Sequence, residues 1–353
     1  MERNFHTATL IVNLNDRALE IPPHYGAATS VFGALKDSVF FFGGDMGKLN
    51  VPSTLLYLFN ATQLEWNAVT NSQGMIPDRR RYLCAIADNN DMIYLSGGEF
   101  IIQQSFKTSN EINIFDTHID NWSVDEHGLF RRKGHTVTFL PNTNEIIYIG
   151  GYGDNDFIDI TNLDIYNTIG NTWRRIATKN PPEQRYLHTA VLTNDNRIVI
   201  FGGVGSIQTE WPIQISTDTP VQNYYVVLNL NTSEWYNGAK INEINGAPYR
   251  GHTATLVDGY MFIAFGNIYS ASKKFNNDIL IYKIEDYANF TEVNTIYPED
   301  LIHKNPNNFV VIIIGATLAV VTILLGFVGF KFRKQTIIKY SGGRPPLSLI
   351  PIP

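Results

Sequence analysis

One cysteine, Cys84, stands among 353 residues, so no disulfide can form within the chain. The sequence also lacks a serine elbow and a phosphate loop. Gly150-Gly151-Tyr152-Gly153 supplies glycines, but no helix start follows them. Basic residues are scarce: the formal charge is −6, and residues 331–353 hold five basic side chains and no acidic one, so the rest is more acidic still. That balance excludes a nucleic-acid binder. Residues 1–14 have no basic-then-apolar leader with a small-residue cleavage site. No helical repeat is present.

What the chain has instead is a recurring diglycine: Gly43-Gly44, Gly97-Gly98, Gly150-Gly151 and Gly202-Gly203, with a worn copy at Gly266-Asn267. The spacing is about 50 residues, a period that marks a repeat fold. Each doublet ends a short apolar run, at 39–42, 92–95, 146–149, 198–201 and 261–265, which reads as a buried strand. Two residues without a Cβ let the strand end take positive φ and let another backbone come close. A tryptophan follows in phase: Trp66, Trp122, Trp173 and Trp235. Between doublet and tryptophan lies a third apolar run, at 55–59, 112–115, 163–166, 224–230 and 279–284. It ends in a polar turn such as Asp116-Thr117 or Asn167-Thr168, whose side chains bond their own backbone. A first strand precedes each doublet, so the unit is four antiparallel strands, one propeller blade.

These residues resemble the kelch repeat family, over residues 23 to about 290. The resemblance implies an all-β, kelch-type β-propeller with five complete four-stranded blades. Residues 8–14 and 17–21 read as a third and a fourth strand with nothing before them, a half blade at 1–22. Either the C-terminal strands complete it by ring closure, or the chain begins inside a repeat; the second reading is favoured, a truncated six-bladed ring.

Residues 309–330 form an uncharged apolar stretch of about 22, against roughly 20 needed to cross a bilayer. They read as one transmembrane helix in the lipid bilayer, after a stalk at 291–308. The basic, proline-rich tail at 331–353 places the C-terminus in the cytoplasm and the propeller outside or in a lumen. The competing topology is a tail anchor with the propeller in the cytosol. Sequons stand at Asn60, Asn121, Asn231 and Asn289, three of them at or beside the turn between strands three and four.

His135, His188 and His252 fall at one repeat position, aligned with Cys84, which reads as first-strand packing rather than metal ligation. The acidic loop Asp154, Asp156 and Asp159 departs from a calcium loop, because Ile158 takes a ligand position. The resemblance extends to copper radical oxidases such as galactose oxidase, but a single cysteine at a routine repeat position gives no such site. No cofactor and no catalytic residue are expected; a membrane-tethered oxidase or carbohydrate-active enzyme is the alternative.

Recognition is expected on the face that collects the connections after each doublet, with an unknown protein or carbohydrate as partner. The segments leading into the blades carry Arg81, Arg132, Arg185 and Arg250 at nearly one repeat position. Two readings stand: the arginines pair with carboxylates and hold blade to blade, or their guanidinium groups ring the central channel and take an anionic or polar ligand. Trp211, in the longest connection, 204–222, is an aromatic outside the repeat pattern and the best single anchor.

Overall fold

The strand-forming runs assemble, in a computed structural model of the chain, into five blades around one axis, each built on four antiparallel strands; the sheet of the second blade also takes in Gln73–Gly74, parallel to its fourth strand, and Ser105–Thr108. The structure describes residues 21, 24–46, 55–102, 105–125, 130–208, 215–238, 248–268, 279–286 and 290–292. Blade one consists of Ala28–Phe32, Ser38–Phe42, Leu56–Asn60 and Glu65–Val69. Blade two consists of Arg81–Ala87, Met92–Ile102, Ile112–Asp116 and Asn121–Asp125. Blade three is Thr136–Leu140, Glu145–Ile149, Asn162–Asn167 and Thr172–Ala177. Blade four is Thr189–Leu192, Arg197–Phe201, Tyr225–Asn229 and Glu234–Asn237. Blade five is Pro248–Val257, Tyr260–Ile268, Ile279–Ile284 and Phe290–Glu292. First strands contact one another from blade to blade, so they are innermost and line the axis.

Burial explains the sequence pattern strand by strand. Second strands lie between neighbouring blades, and both faces are covered; every residue of Glu145–Ile149 and Arg197–Phe201 is buried. A strand covered on both sides reads as a continuous apolar run rather than an alternation. Fourth strands at the rim are more exposed; in Thr172–Ala177 only Trp173 and Ile176 are half-buried and no residue is buried. The core is therefore a set of inter-blade layers, each aliphatic side chain contributing about 1.5–3 kcal/mol on burial. Blade three meets blade four through Ile147, Ile149, Leu163, Ile198, Ile200 and Trp235. Blade five meets blade one through Val257 and Phe262 against Val39, Phe59 and Ala61.

The tryptophans pack where the repeat places them, on the aromatic of their own third strand: Trp66 on Phe59 at 4.9 Å, Trp122 on Phe115 at 4.7 Å, Trp173 on Tyr166 at 5.0 Å between centroids. Trp235 stands opposite Leu228. Trp122 also meets Phe40 and Phe42 of blade one, so it holds two blades together.

The turns behave as the sequence suggests in three blades. Asn60, Asp116 and Asn167 each accept a backbone N–H two or three residues on. In blade four Asn229 does this, two residues earlier than the expected Asn231, because the third strand ends sooner. The half blade at 1–22 and the transmembrane stretch 309–330 lie outside the described residues, apart from Ile21. Among the described residues no helix is long and apolar enough to cross a membrane.

Candidate ligand-binding face

The end of the ring that carries the doublets is built on a stitch repeated from blade to blade. The second glycine donates its N–H to a carbonyl of the following blade: Gly44 to Arg80 at 2.8 Å, Gly98 to Arg132 at 2.9 Å, Gly151 to Arg185 at 2.9 Å, Gly203 to Tyr249 at 2.6 Å. This fixes the repeat register, and it differs by one residue from the sequence alignment. The equivalent arginines are Arg80, Arg132 and Arg185, and Arg81 and Arg250 come one position later. Arg79-Arg80-Arg81 is a tandem, so sequence alone does not say which member is in phase.

Arg80, Arg132 and Arg185 are each 1% exposed, so they do not form an open ring of guanidinium groups around the channel. Each turns into its own blade. Arg80 bonds Ser109 Oγ at 2.6 Å and Asn113 Oδ1; Arg132 pairs with Asp164, which Arg175 also holds at 2.7 Å. In blade four the place of Asn113 and Asp164 is taken by Val226, and Arg185 bonds the carbonyls of Asn223 at 2.9 Å and Gly202 at 3.1 Å instead. Burial lowers the guanidinium groups of Arg80 and Arg185 to about 10 each, so both stay charged at neutral pH.

The histidines form a second stitch. His135 Nε2 lies 3.2 Å from Ser96 Oγ, His188 Nε2 3.0 Å from Thr136 Oγ1, and His252 Nε2 3.0 Å from Thr189 Oγ1, each bond reaching into the preceding blade. Burial pushes His252 down to about 4 and His135 and His188 well below their ordinary value, so all three are neutral. Leu83, not Cys84, occupies this position in blade two; it faces Gly98 as His135 faces Gly151. Cys84 is one residue on, half-buried, its thiol donating to His135 O and pushed up to about 12 by desolvation. Among the described residues no three His, Cys, Asp or Glu side chains are grouped to hold a metal.

One position after the buried arginines, the chain turns to the mouth of the channel with Tyr25, Arg81, Lys133, Tyr186 and Arg250. Across from them stand the residues that follow the doublets: Tyr25 bridges Asp45, Arg81 pairs with Glu99, Lys133 with Tyr152, Tyr186 with Val204, and Arg250 with Asn267. A charged chain crosses three blades here. Arg81 holds Asp45 at 2.7 Å and Glu99 at 2.8 Å, and Lys133 closes on the other oxygen of Glu99, which is 1% exposed. Tyrosines fill the spaces between: Arg81 lies over Tyr25 and Tyr82, and Lys133 over Tyr152. Tyr152, Tyr186 and Phe157 form a triad with centroids 5.2–5.8 Å apart. Beside it opens a cavity of about 290 Å³ lined by Phe157, Glu183, Gln184, Gly205 and Val221.

The mouth was only partly legible in the sequence. Arg81 and Arg250 belong to it, whereas Lys133, Tyr25 and Tyr186 were missed because three residue types share one repeat position. Two of the long connections are hairpins that extend the blades: Met92–Ile102 pairs with Ser105–Thr108, and Val204–Gln208 with Ile215–Pro220. Trp211 falls between the strands of the second, outside the described residues. Of the sequons, Asn60 ends a third strand, Asn121 begins a fourth and Asn231 is exposed in a turn, all at the opposite end of the ring. Asn289 lies outside the described residues. Asp156 and Asp159 accept N–H groups of Phe157 and Thr161, as loop residues do.

Five kelch-type blades, stitched by glycine doublets and buried histidines, define a β-propeller that presents a Tyr- and Arg-lined mouth. The model of the Attractin/LZTR1 beta-propeller family matches residues 39–305, more than half of the chain, and the chain belongs to that family. It is also similar to human Kelch-like protein 38, 24% identical over 211 residues, covering 60% of this chain and 32% of that protein. Mouse Kelch domain-containing protein 1 is 25% identical over 155 residues, 42% of this chain and 36% of the relative. The chain thus spans about a third of the length of these curated relatives.

Proposed function

We propose that the chain is a single-pass membrane protein whose propeller is a non-catalytic protein-binding module, working through the mouth at the doublet end. The observation that carries this is the convergence of Tyr25, Tyr82, Tyr152 and Tyr186 with Arg81 and Arg250 on one end of a rigid ring. Tyrosine and arginine are the residue types that dominate interface hot spots, since they add large contact area and charge-assisted bonds. The four-stranded scaffold beneath repeats from blade to blade, and the loops around the mouth differ in length and structure, which suits recognition. The membrane part of the reading rests on residues 309–330 and the basic residues after them. The non-catalytic part of the reading is supported by the histidines at the repeat position, whose Nε2 atoms are engaged with Ser96, Thr136 and Thr189 of the preceding blade.

The test is binding by the full chain in detergent, compared with Tyr186→Ala/Arg250→Ala. Loss of bound protein by at least tenfold, with an unchanged melting temperature, is the expected result; binding that survives the pair of substitutions overturns the proposal.

A further inference from the structure

We propose that the cavity between blades three and four takes a basic side chain, a lysine or an arginine, of the protein bound at the mouth; this rests on the reading of the mouth as a protein-binding face. The cavity holds about 290 Å³, at the lower end of the range for ligand sites, which is room for one side chain rather than a large molecule. Its apolar walls are Phe157, from the connection of blade three, and Pro220 and Val221, from the end of the blade-four hairpin. Its polar groups are Glu183, Gln184 and Gln222. Glu183 is the single charged residue in the lining, and no basic side chain shares it.

The sequence fixes a carboxylate at this place. Pro181-Pro182 restrict the backbone just before Glu183. The main-chain carbonyl of Glu183 accepts the Nε–H of Arg185 at 3.2 Å, and its carboxylate oxygen Oε2 accepts the N–H of Gln222 at 2.9 Å. Both ends of the residue are held, so little ordering entropy is lost there when a ligand docks. Oε1 is left over, and among the described residues Glu183 makes no ion pair. Arg185 is close enough to feel the charge, but its guanidinium donates to the carbonyls of Gly202 and Asn223 inside the blade. The position two before each buried arginine is Asp78, Phe130 and Glu183 in blades two, three and four. The repeat itself therefore does not call for a carboxylate here.

The remaining walls suit an aliphatic stem that carries a cation. Phe157 is held by Tyr152 at 5.2 Å and Tyr186 at 5.8 Å between centroids, a fixed aromatic surface beside the carboxylate. Lysine and arginine lay their methylene groups on such apolar surface and bring the charged end to a carboxylate or over a ring. Gly205 sets the width of the space: a Cβ there would stand 3.2 Å from Gln184 O and 3.3 Å from Val221 Cγ1, so the hairpin lies against the segment that enters blade four. Asp156, one residue before Phe157, is exposed and adds negative charge on the same loop. An acidic side chain has no cation to meet in this lining, and a neutral one leaves Glu183 unpaired.

Selection from a displayed library of random peptides, with the full chain in detergent, tests this. The chain should select peptides with Lys or Arg at one position. A synthetic peptide of the selected sequence should bind Glu183→Gln at least tenfold more weakly; glutamine keeps the acceptor for Gln222 and removes only the charge, so the melting temperature should not move. Norleucine in place of the basic residue should weaken binding to the unaltered chain as much and leave binding to Glu183→Gln unchanged. A selection without a basic position overturns the proposal, as does equal weakening by norleucine in both forms, which puts the basic residue elsewhere on an acidic surface. Tyr186→Ala/Arg250→Ala separates the two readings. Binding that depends on Glu183 but survives this pair overturns the mouth reading and keeps the cavity assignment; binding lost with the pair but indifferent to Glu183→Gln overturns the cavity assignment alone.

Discussion

The ring of His188 rests where a Cβ of Gly150 would be: 2.9 Å separates that point from His188 Cε1. One residue is in blade three and the other in blade four, so the glycine exists for its neighbour's sake. The first glycine of each doublet admits the next blade, and the second donates its N–H to a carbonyl of that blade.

Replacing Gly150 by Ala should therefore destabilise the ring by about 3 kcal/mol or more. Left-handed backbone alone costs an L-residue roughly 1–2 kcal/mol, and the clash with Arg185 O adds to it. Phe265 is at the equivalent place in blade five, opposite His252 and with φ 63°. Phe265→Gly should change stability by less than about 1 kcal/mol, the relief of φ being offset by chain entropy. Urea unfolding of the two variants separates these outcomes.

Acid should loosen the blades. The native state keeps His252 neutral down to about 4, whereas the unfolded chain takes up a proton near the ordinary value of 6.5. The stabilisation is therefore complete above pH 6.5 and lost as pH falls toward 4, with about 2 kcal/mol gone by pH 5 from this residue. His135 and His188, shifted the same way by burial, add to the loss. Urea midpoints between pH 7.5 and 5 should fall, and fall less steeply in His252→Gln.

Arg132 and Asp164 form a buried pair with both side chains under 10% exposed. Arg132→Met alone leaves Asp164 buried with only Arg175, and should cost about 3–5 kcal/mol. Arg132→Met/Asp164→Leu should recover much of that, since a well-packed apolar pair replaces the charges. A double-mutant cycle measured by thermal unfolding reads the coupling.

The five complete blades, the doublets and the packed tryptophans were legible because each rests on a side chain or its absence at a fixed interval. Register within the first strand was not. Arg80 and Arg81 are chemically identical in sequence, and only the bond from Gly44 tells the inward one from the outward one. Cys84 drew alignment with the histidines because it is polar and small, while Leu83, which holds their place, looks like any strand residue. Gly266-Asn267 reads as a worn doublet for the same reason: Phe265 takes a glycine's backbone conformation, which no composition rule anticipates. The mouth escaped because tyrosine, arginine and lysine share one position and no single residue type repeats.

If the membrane reading holds, carbonate extraction should leave the full chain in the membrane fraction, and removal of residues 309–330 should release it. With the propeller on the lumenal side, Asn231→Gln should remove one glycosidase-sensitive mass increment, because Asn231 is exposed in its turn.

The central claim, that the doublet-end mouth binds a protein, is met most directly by site-specific photo-crosslinking. A photoreactive residue is placed at Tyr186 at the mouth, or at Ile169, which is 65% exposed at the opposite end of the ring. The account expects a discrete protein adduct from position 186 and none from 169. Adducts from 169 alone, or from neither position, contradict it.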